Sequence, residues 1–243
     1  LGGWALLAFV ALVPWLTLTA RRRRDDRTDL EAGIVPAARQ ELVGRIAHSR
    51  VAIAIAIAFA VTALSTYAFF AWLPEIMKEH AGVAPAEAGA MLAVYGLVGL
   101  PLALVMPLLA ARVRNVGILI AVGVACFVGG YAGLLLVPAV APWAWVILTG
   151  LGGSIFPLCL ALIGLRTRSP EAAVALSGFV QAIGYAGGAL GPLLLAVIHD
   201  ATGEWTAPLA VLIGTSLLAL VPAVILARRR DVEDDLADRA AGR

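Results

Sequence analysis

Long apolar blocks alternate with short polar connections along this chain, and arginine is confined to every second connection. An apolar block of roughly 18 or more residues is long enough to cross a bilayer as a helix. Seven such spans can be marked, at 1–20, 50–73, 87–110, 116–138, 142–165, 174–198 and 207–227. Every Arg lies in the first, third or fifth connection or in the final tail, and the single Lys, Lys78, lies in the second. Loops that stay in the cytoplasm keep an excess of Lys and Arg. The alternation predicts an all-α polytopic protein of the cytoplasmic membrane, with residue 1 outside and the C-terminus inside.

Composition agrees. Hydrophobic residues make up 61% and charged residues 14%, whereas a soluble domain carries roughly a quarter charged residues. There is no room for a large soluble catalytic domain. Cys126 and Cys159 both fall inside apolar blocks. They read as small buried hydrophobes, with no disulfide framework. A secretory signal has its basic charges before its apolar stretch. Here Arg21, Arg22, Arg23 and Arg24 follow the first block, so that block reads as a span. A start at Leu1 without Met leads us to expect an upstream part of the protein.

The first connection, 21–49, is much longer than the others. Its first half is an Arg/Asp run of the solvated kind. From Pro36, "PAARQELVGRIAHS" fits either a short amphipathic helix on the membrane surface or a plain linker. Its basic residues either touch anionic lipid or only set topology. Nucleic acid is not an expected partner.

The sixth span holds "GFVQAIGYAGGALGPLLL". At about 100° per residue, Ser177, Gln181, Gly184, Tyr185, Gly188, Gly191 and Pro192 fall within half the circumference. Leu190, Leu193 and Leu194 lie on the other half. Small residues four apart let helix backbones approach, and Gly-Pro frees backbone groups and invites a bend. Gln181 and Tyr185 then either hydrogen-bond across a helix interface or line a polar cavity that meets a substrate. Three other spans have a comparable side. In the second, Thr62, Ser65, Thr66 and Phe69 share a side, with Trp72 as an interfacial anchor. In the fifth, Gly150, Ser154, Pro157 and Gly164 do so. In the third, Tyr95 stacks with Gly99, with Pro101 and Pro107 beyond. The fourth and seventh spans read as scaffold. "VYGLVGLPLALV" and "GYAGGALGPLLLAV" echo one another in the second helices of two three-helix groups that run in opposite directions. Many transporters are built from such inverted repeats.

No Asp, Glu, Lys or Arg falls well inside a span, so a proton relay, if there is one, is expected upstream. His199-Asp200 reads as an ordinary helix end. "GLGGS" lacks the Lys of a phosphate loop and lies within a span. No spacing resembles a metal site, and neither metal nor cofactor is expected.

The layout resembles the C-terminal half of a major facilitator superfamily transporter. "STYAFFAWLPEI", "AGAMLAVYGLVGLPLALVMPLLAARVR" and "IFPLCLALIGLRTRSPEAAVALSGFVQAIGYAGGALGPLLLAVIHDATGEW" are similar to the cyanate permease and 2-nitroimidazole transporter branch. The resemblance implies that 1–20 is the last helix of an incomplete N-terminal bundle and 21–49 the basic central loop. It makes 50–227 a six-helix bundle built as an inverted 3+3 repeat, and 228–243 a charged tail. It also implies that spans two, three, five and six line a central site, with Thr62, Thr66, Phe69, Tyr95, Ser154, Gln181 and Tyr185 facing the substrate. Gly99, Pro101, Pro157, Gly184, Gly188, Gly191 and Pro192 would allow bending and close packing. Arg112, Arg114 and Arg166 lie in cytoplasmic loops. Ala111 stands where the superfamily's inner-loop motif has an acid, so no acid-based gate is expected there.

The expected function is secondary transport of a small organic solute or anion by alternating access, not catalysis. Partners would be that solute, the bilayer and the missing N-terminal half. A seven-helix receptor or photoreceptor is the alternative. The last span, however, lacks the Lys a retinal Schiff base needs, and no span carries the acid, His or nucleophile sets of an enzyme.

Overall fold

The computed structural model describes residues 42–240, with side chains as far as Asp238. The first span and residues 21–41 lie outside the described residues. From Arg45 onward the chain forms one compact unit. Among the described residues, six helical segments are long and apolar enough to cross a membrane, at the positions of the last six apolar blocks. Residues 42–46 are helical, so the end of the segment read as either surface helix or linker is helix.

Helix α1 (Arg50–Glu79) starts where the Ser49 Oγ accepts from the Ala52 amide at 3.4 Å. Proline lacks an N–H and crowds the carbonyl four residues back, and the apolar block marked at 50–73 stops just before Pro74. The helix instead runs through Pro74. The carbonyl it releases belongs to Phe70, which is exposed. Gly82, at φ +68°, then turns the chain in a conformation that suits glycine. Helix α2 (Pro85–Arg112) has proline in its first turn, where the missing N–H costs nothing. Helix α3 (Val116–Leu136) is capped by the Asn115 Oδ1, which accepts from the Gly117 amide at 3.0 Å.

The fifth span is two helices, α4 (Pro142–Gly152) and α5 (Ile155–Leu165), parted by a tight turn at Gly153-Ser154. Three glycines in "GLGGS" remove the helical bias at that point. Helix α6 (Pro170–Thr202) is continuous through Gly191-Pro192 and ends at Gly203, φ +72°. The last span is also divided, into α7 (Thr206–Leu218) and α8 (Leu220–Leu226). Pro222 cannot donate to the Leu218 carbonyl four residues earlier, and α7 stops at Leu218 for that reason.

Helix α1 is the central rod. Ala52, Ile55, Phe59, Ala63, Phe69 and Leu73 on it are fully buried. It packs on α2, α5, α6, α7 and α8. The contact with α6 runs along glycines. A Cβ at Gly184 would lie 1.8 Å from the Phe59 Cδ1, and one at Gly191 would lie 2.5 Å from the Leu64 carbonyl oxygen. The small face of α6 is therefore used for helix packing against α1. At the far end from the arginine-bearing loops, the Trp72 indole donates to the Pro192 carbonyl at 3.0 Å and sits 5.6 Å from the Trp205 ring. Trp72 staples α1 to α6 there. Two polar contacts cross the core: Ser65 and Ser216 hydroxyls meet at 3.4 Å, and the Tyr131 hydroxyl donates to the Ser65 carbonyl at 3.3 Å. These bonds tie α1, α3 and α7 together.

The tail folds into a further helix, α9 (Val232–Ala240), with Glu233, Asp234 and Asp235 in its first turn, where carboxylates favour a helix. Arg168 reaches Asp231 at 3.0 Å and Asp234 at 2.5 Å, and its amide donates to Glu233 at 2.8 Å. Hydrogen bonding to Asp231, with the Asp234 charge behind it, raises the Arg168 pKa. Buried Asp235 accepts from the Arg50 amide at 2.6 Å. Arg230 pairs with Asp238. The charged tail is a docked element that fastens the starts of α1 and α6 together.

Candidate functional site

Four helical segments, α1, α2, α4–α5 and α6, supply the side chains singled out from sequence. They gather into two neighbouring groups.

The first group forms where the break between α4 and α5 meets α1 and α2. The Tyr95 hydroxyl, on α2, donates to the Thr66 carbonyl at 3.5 Å. Phe69 packs edge-on against Tyr95 at 5.3 Å and against Tyr131 at 5.4 Å. A Cβ at Gly150 would lie 3.5 Å from the Tyr95 ring, and one at Gly153 would lie 3.8 Å from the Thr66 Oγ1. The break thus lies in ordinary van der Waals contact with both residues. The Thr66 Oγ1 is buried and has no hydrogen-bond partner. A hydroxyl in that state is under-satisfied and favours an incoming donor or acceptor.

The second group is aromatic. Phe59 on α1 lies 4.6 Å from Phe156 on α5 and 5.4 Å from Tyr185 on α6, edge-on to the latter. Tyr185 is 44% exposed and Phe59 fully buried, so Tyr185 caps the group toward the open side. One turn away on α6, the Gln181 Nε2 donates to the Ser177 Oγ at 2.6 Å. That leaves the Gln181 carbonyl oxygen and its second N–H for other partners. Neither group contains a charged side chain. It can hold a polar solute by aromatic contact and neutral hydrogen bonds.

Not every expected residue lies on this face. Thr62 is fully buried, and its Oγ1 donates to the Ala58 carbonyl of its own helix at 2.8 Å. Ser154 is buried, with its Oγ turned toward Gly123 of α3. Phe69 is fully enclosed behind Tyr95. Among the helix-packing residues, Gly184, Gly188 and Gly191 meet α1 closely. Gly99 does not pack: nothing lies within 4 Å of a Cβ built there, because α2 turns that side outward. Pro101 is exposed, while Pro157 and Pro192 are half-buried. Phe59 and Phe156 escaped the sequence reading. A phenylalanine stands out little in an apolar helix, although Phe59 shares its stripe with Thr62, Thr66 and Phe69.

In the loops, Arg112 and Arg114 are exposed. Arg166 is different. It is 3% exposed, and its guanidinium donates to the Leu226 carbonyl at 3.2 Å and the Arg230 carbonyl at 3.3 Å. Burial lowers its pKa, Asp231 opposes that shift, and Arg229 adds to it. Its role includes closing the end of α8. At the opposite end of the bundle, the Trp205 indole donates to Glu79 at 2.7 Å, and the His199 ring stacks on Trp205 at 4.0 Å.

Residues 1–149 match the Major Facilitator Superfamily. The chain is 39% identical to the "2-nitroimidazole transporter" of Escherichia coli (strain K12) over 71% of its own length and 43% of that protein. It is 32% identical to the "Uncharacterized transporter YycB" of Bacillus subtilis (strain 168), over 88% of this chain and 51% of that one. It is 28% identical to the "Cyanate transport protein CynX" of Escherichia coli (strain K12), over 84% and 50%. The chain spans about half the length of these curated relatives. With six helical segments long and apolar enough to cross a membrane, these matches describe a multi-pass integral membrane protein, and the chain belongs to the Major Facilitator Superfamily.

Proposed function

We propose that residues 50–227 are the C-terminal bundle of a secondary transporter. In this reading 1–20 is the last helix of the partner bundle, 21–49 the loop between them, and 228–243 the closing tail. The two bundles rock about a site near the bilayer midplane. The solute crosses chemically unchanged. Residue 1 faces outward and the arginine-bearing loops face the cytoplasm.

One observation carries the substrate side of this reading. Phe156, Gln181 and Tyr185 bring aromatic, amide and hydroxyl groups together without a charge, and the buried Tyr95 and the buried Thr66 hydroxyl stand at the neighbouring helix break. Such a surface suits a small polar organic solute or anion of the nitroheterocycle or cyanate type. Ring faces give contact area, and amides and hydroxyls give directional bonds. The names of the 2-nitroimidazole and cyanate carriers support the same class here. Gln181 fixes orientation, and Tyr185 supplies the wall.

The test is transport by the intact protein. Gln181→Ala removes one neutral hydrogen bond, worth about 1 kcal/mol, and is expected to raise the apparent KM about fivefold at normal expression. Tyr185→Phe keeps the ring and is expected to have the smaller effect, whereas Tyr185→Ala loses most transport. A panel of nitroheterocycles and small anions serves as substrate. Unchanged kinetics in Gln181→Ala and Tyr185→Ala would return both residues to helix packing.

A further inference from the structure

Tyr67 stands near the middle of α1, as Tyr185 does in α6. Its ring lies over Gly188: a Cβ there would come within 2.5 Å of the Tyr67 Cδ2. Gly188 follows Tyr185 by three residues, so the two are neighbours on one side of α6. The Tyr67 ring is thus seated beside Tyr185, and the two side chains lie close enough to interact electrostatically. One turn further along α1, Phe70 meets Tyr95 with 6.2 Å between ring centroids. Tyr67 therefore lies between the aromatic group at Tyr185 and the group at the helix break. Tyr67 is 40% exposed, Phe70 47% and Tyr185 44%, whereas Phe59, Phe69 and Tyr95 are buried.

A tyrosine that faces lipid belongs at the membrane interface, where its ring is among the tails and its hydroxyl is wet. At mid-span a hydroxyl turned to lipid gives up its bonds to water and gains none. The Tyr67 hydroxyl has no hydrogen-bond partner among the described residues. Packing on Gly188 does not call for it either, because phenylalanine has the same ring. A polar passage does account for it, since water or a solute then completes the hydroxyl. Packed on Gly188 and still 40% exposed, the ring offers the rest of its surface to whatever occupies the open side of α1 and α6.

We propose that Tyr67 is a specificity-determining residue of the solute site. With Tyr185 it supplies a pair of rings that contact a flat heteroaromatic solute, and its hydroxyl bonds a polar substituent of that solute. This rests on the reading of Phe156, Gln181 and Tyr185 as a solute site. Ring contacts reward a flat ring-shaped solute and give a small linear anion little. A phenolic hydroxyl donates or accepts, which suits a ring nitrogen or a nitro oxygen alike.

A water-soluble thiol reagent, applied to the intact protein in its membrane, tests this. Cys126→Ala and Cys159→Ala remove the native thiols. Tyr67→Cys in that background is expected to react. Saturating 2-nitroimidazole is expected to block most of that reaction, and cyanate much less of it. In transport, Tyr67→Phe is expected to raise the apparent KM for 2-nitroimidazole about fivefold, the effect of one neutral hydrogen bond. Tyr67→Leu, which also loses the ring, is expected to raise it about tenfold, with the melting temperature in detergent unchanged in both. No reaction at Tyr67→Cys would overturn the proposal and mean that lipid or another helix covers the ring. Equal blocking by cyanate and 2-nitroimidazole, or an unchanged KM in both transport variants, would overturn it as well. So would a reaction that 2-nitroimidazole blocks at Gln181→Cys and not at Tyr67→Cys, an outcome that keeps Gln181 in the site. Blocking at neither position would defeat the solute-site reading itself, and this proposal with it.

Discussion

Gly184→Val abolishes recovery of folded protein, while Gly178→Ala on the same helix leaves it intact or raises its melting temperature. A Cβ at Gly184 would sit 1.8 Å from the Phe59 Cδ1 and 2.9 Å from its Cγ. The Phe59 ring is fully buried and lies 4.6 Å from Phe156, so it has nowhere to withdraw. The alternative is to push α6 away from α1. That would loosen Gly187 against Ala60, Gly188 against Tyr67 and Gly191 against Leu64 together. One added methylene in a packed core costs typically 1–3 kcal/mol, and valine adds a branched group to the most central contact of the bundle. Against a total stability of about 5–15 kcal/mol, this is enough to prevent assembly. At Gly178 nothing lies within 4 Å of a Cβ, and alanine is the better helix former by up to ~1 kcal/mol in water. Size-exclusion profiles and melting curves in detergent compare the two. Wild-type behaviour of Gly184→Val would mean that the α1–α6 contact is looser than described.

Arg166→Leu is expected to lower stability by about 3 kcal/mol and to loosen the stretch between α8 and α9. The guanidinium holds the Leu226 and Arg230 carbonyls, and the Arg166 carbonyl accepts from the Val232 amide at 2.9 Å. Each hydrogen bond from a charged donor contributes about 1.5–3 kcal/mol net. Leucine fills the space and satisfies neither carbonyl. Arg168→Leu, which removes exposed ion pairs only, is expected to cost much less because water screens them. Melting curves in detergent distinguish the two variants: a clear fall is expected in Arg166→Leu and a small one in Arg168→Leu. An unchanged melting temperature in Arg166→Leu would mean that the two carbonyls find other partners.

The last six crossings were legible because apolar length is a coarse signal that no tertiary contact reverses. Their ends were less so. Helix α6 covers Pro170–Thr202 where apolarity alone marked 174–198, since helix continues into the polar rim once Ser169 caps it at one end and Gly203 at the other. The break at Leu218 lay in the text as Pro222, four residues on, but an unbroken apolar run concealed it. The tail was legible only as charged, because nothing local favours "VEDDLADRA" as helix except its acidic first turn. Arg50, Arg166 and Arg168 make it one. At the site, a helical projection shows which residues share a side but not which neighbour covers that side. Thr66, Gln181 and Tyr185 remained on the candidate face. Thr62 and Ser154 turned to their own helix and to α3, and Gly184 turned to Phe59.

The bonds from Arg166, Arg168 and Asp235 join the starts of α1 and α6 to the ends of α5 and α8. A barrel hooped at one rim keeps its staves aligned there, whatever happens at the other. Any swing imposed on one of these four staves must carry the other three along, so they turn as a single lever arm about the hooped rim.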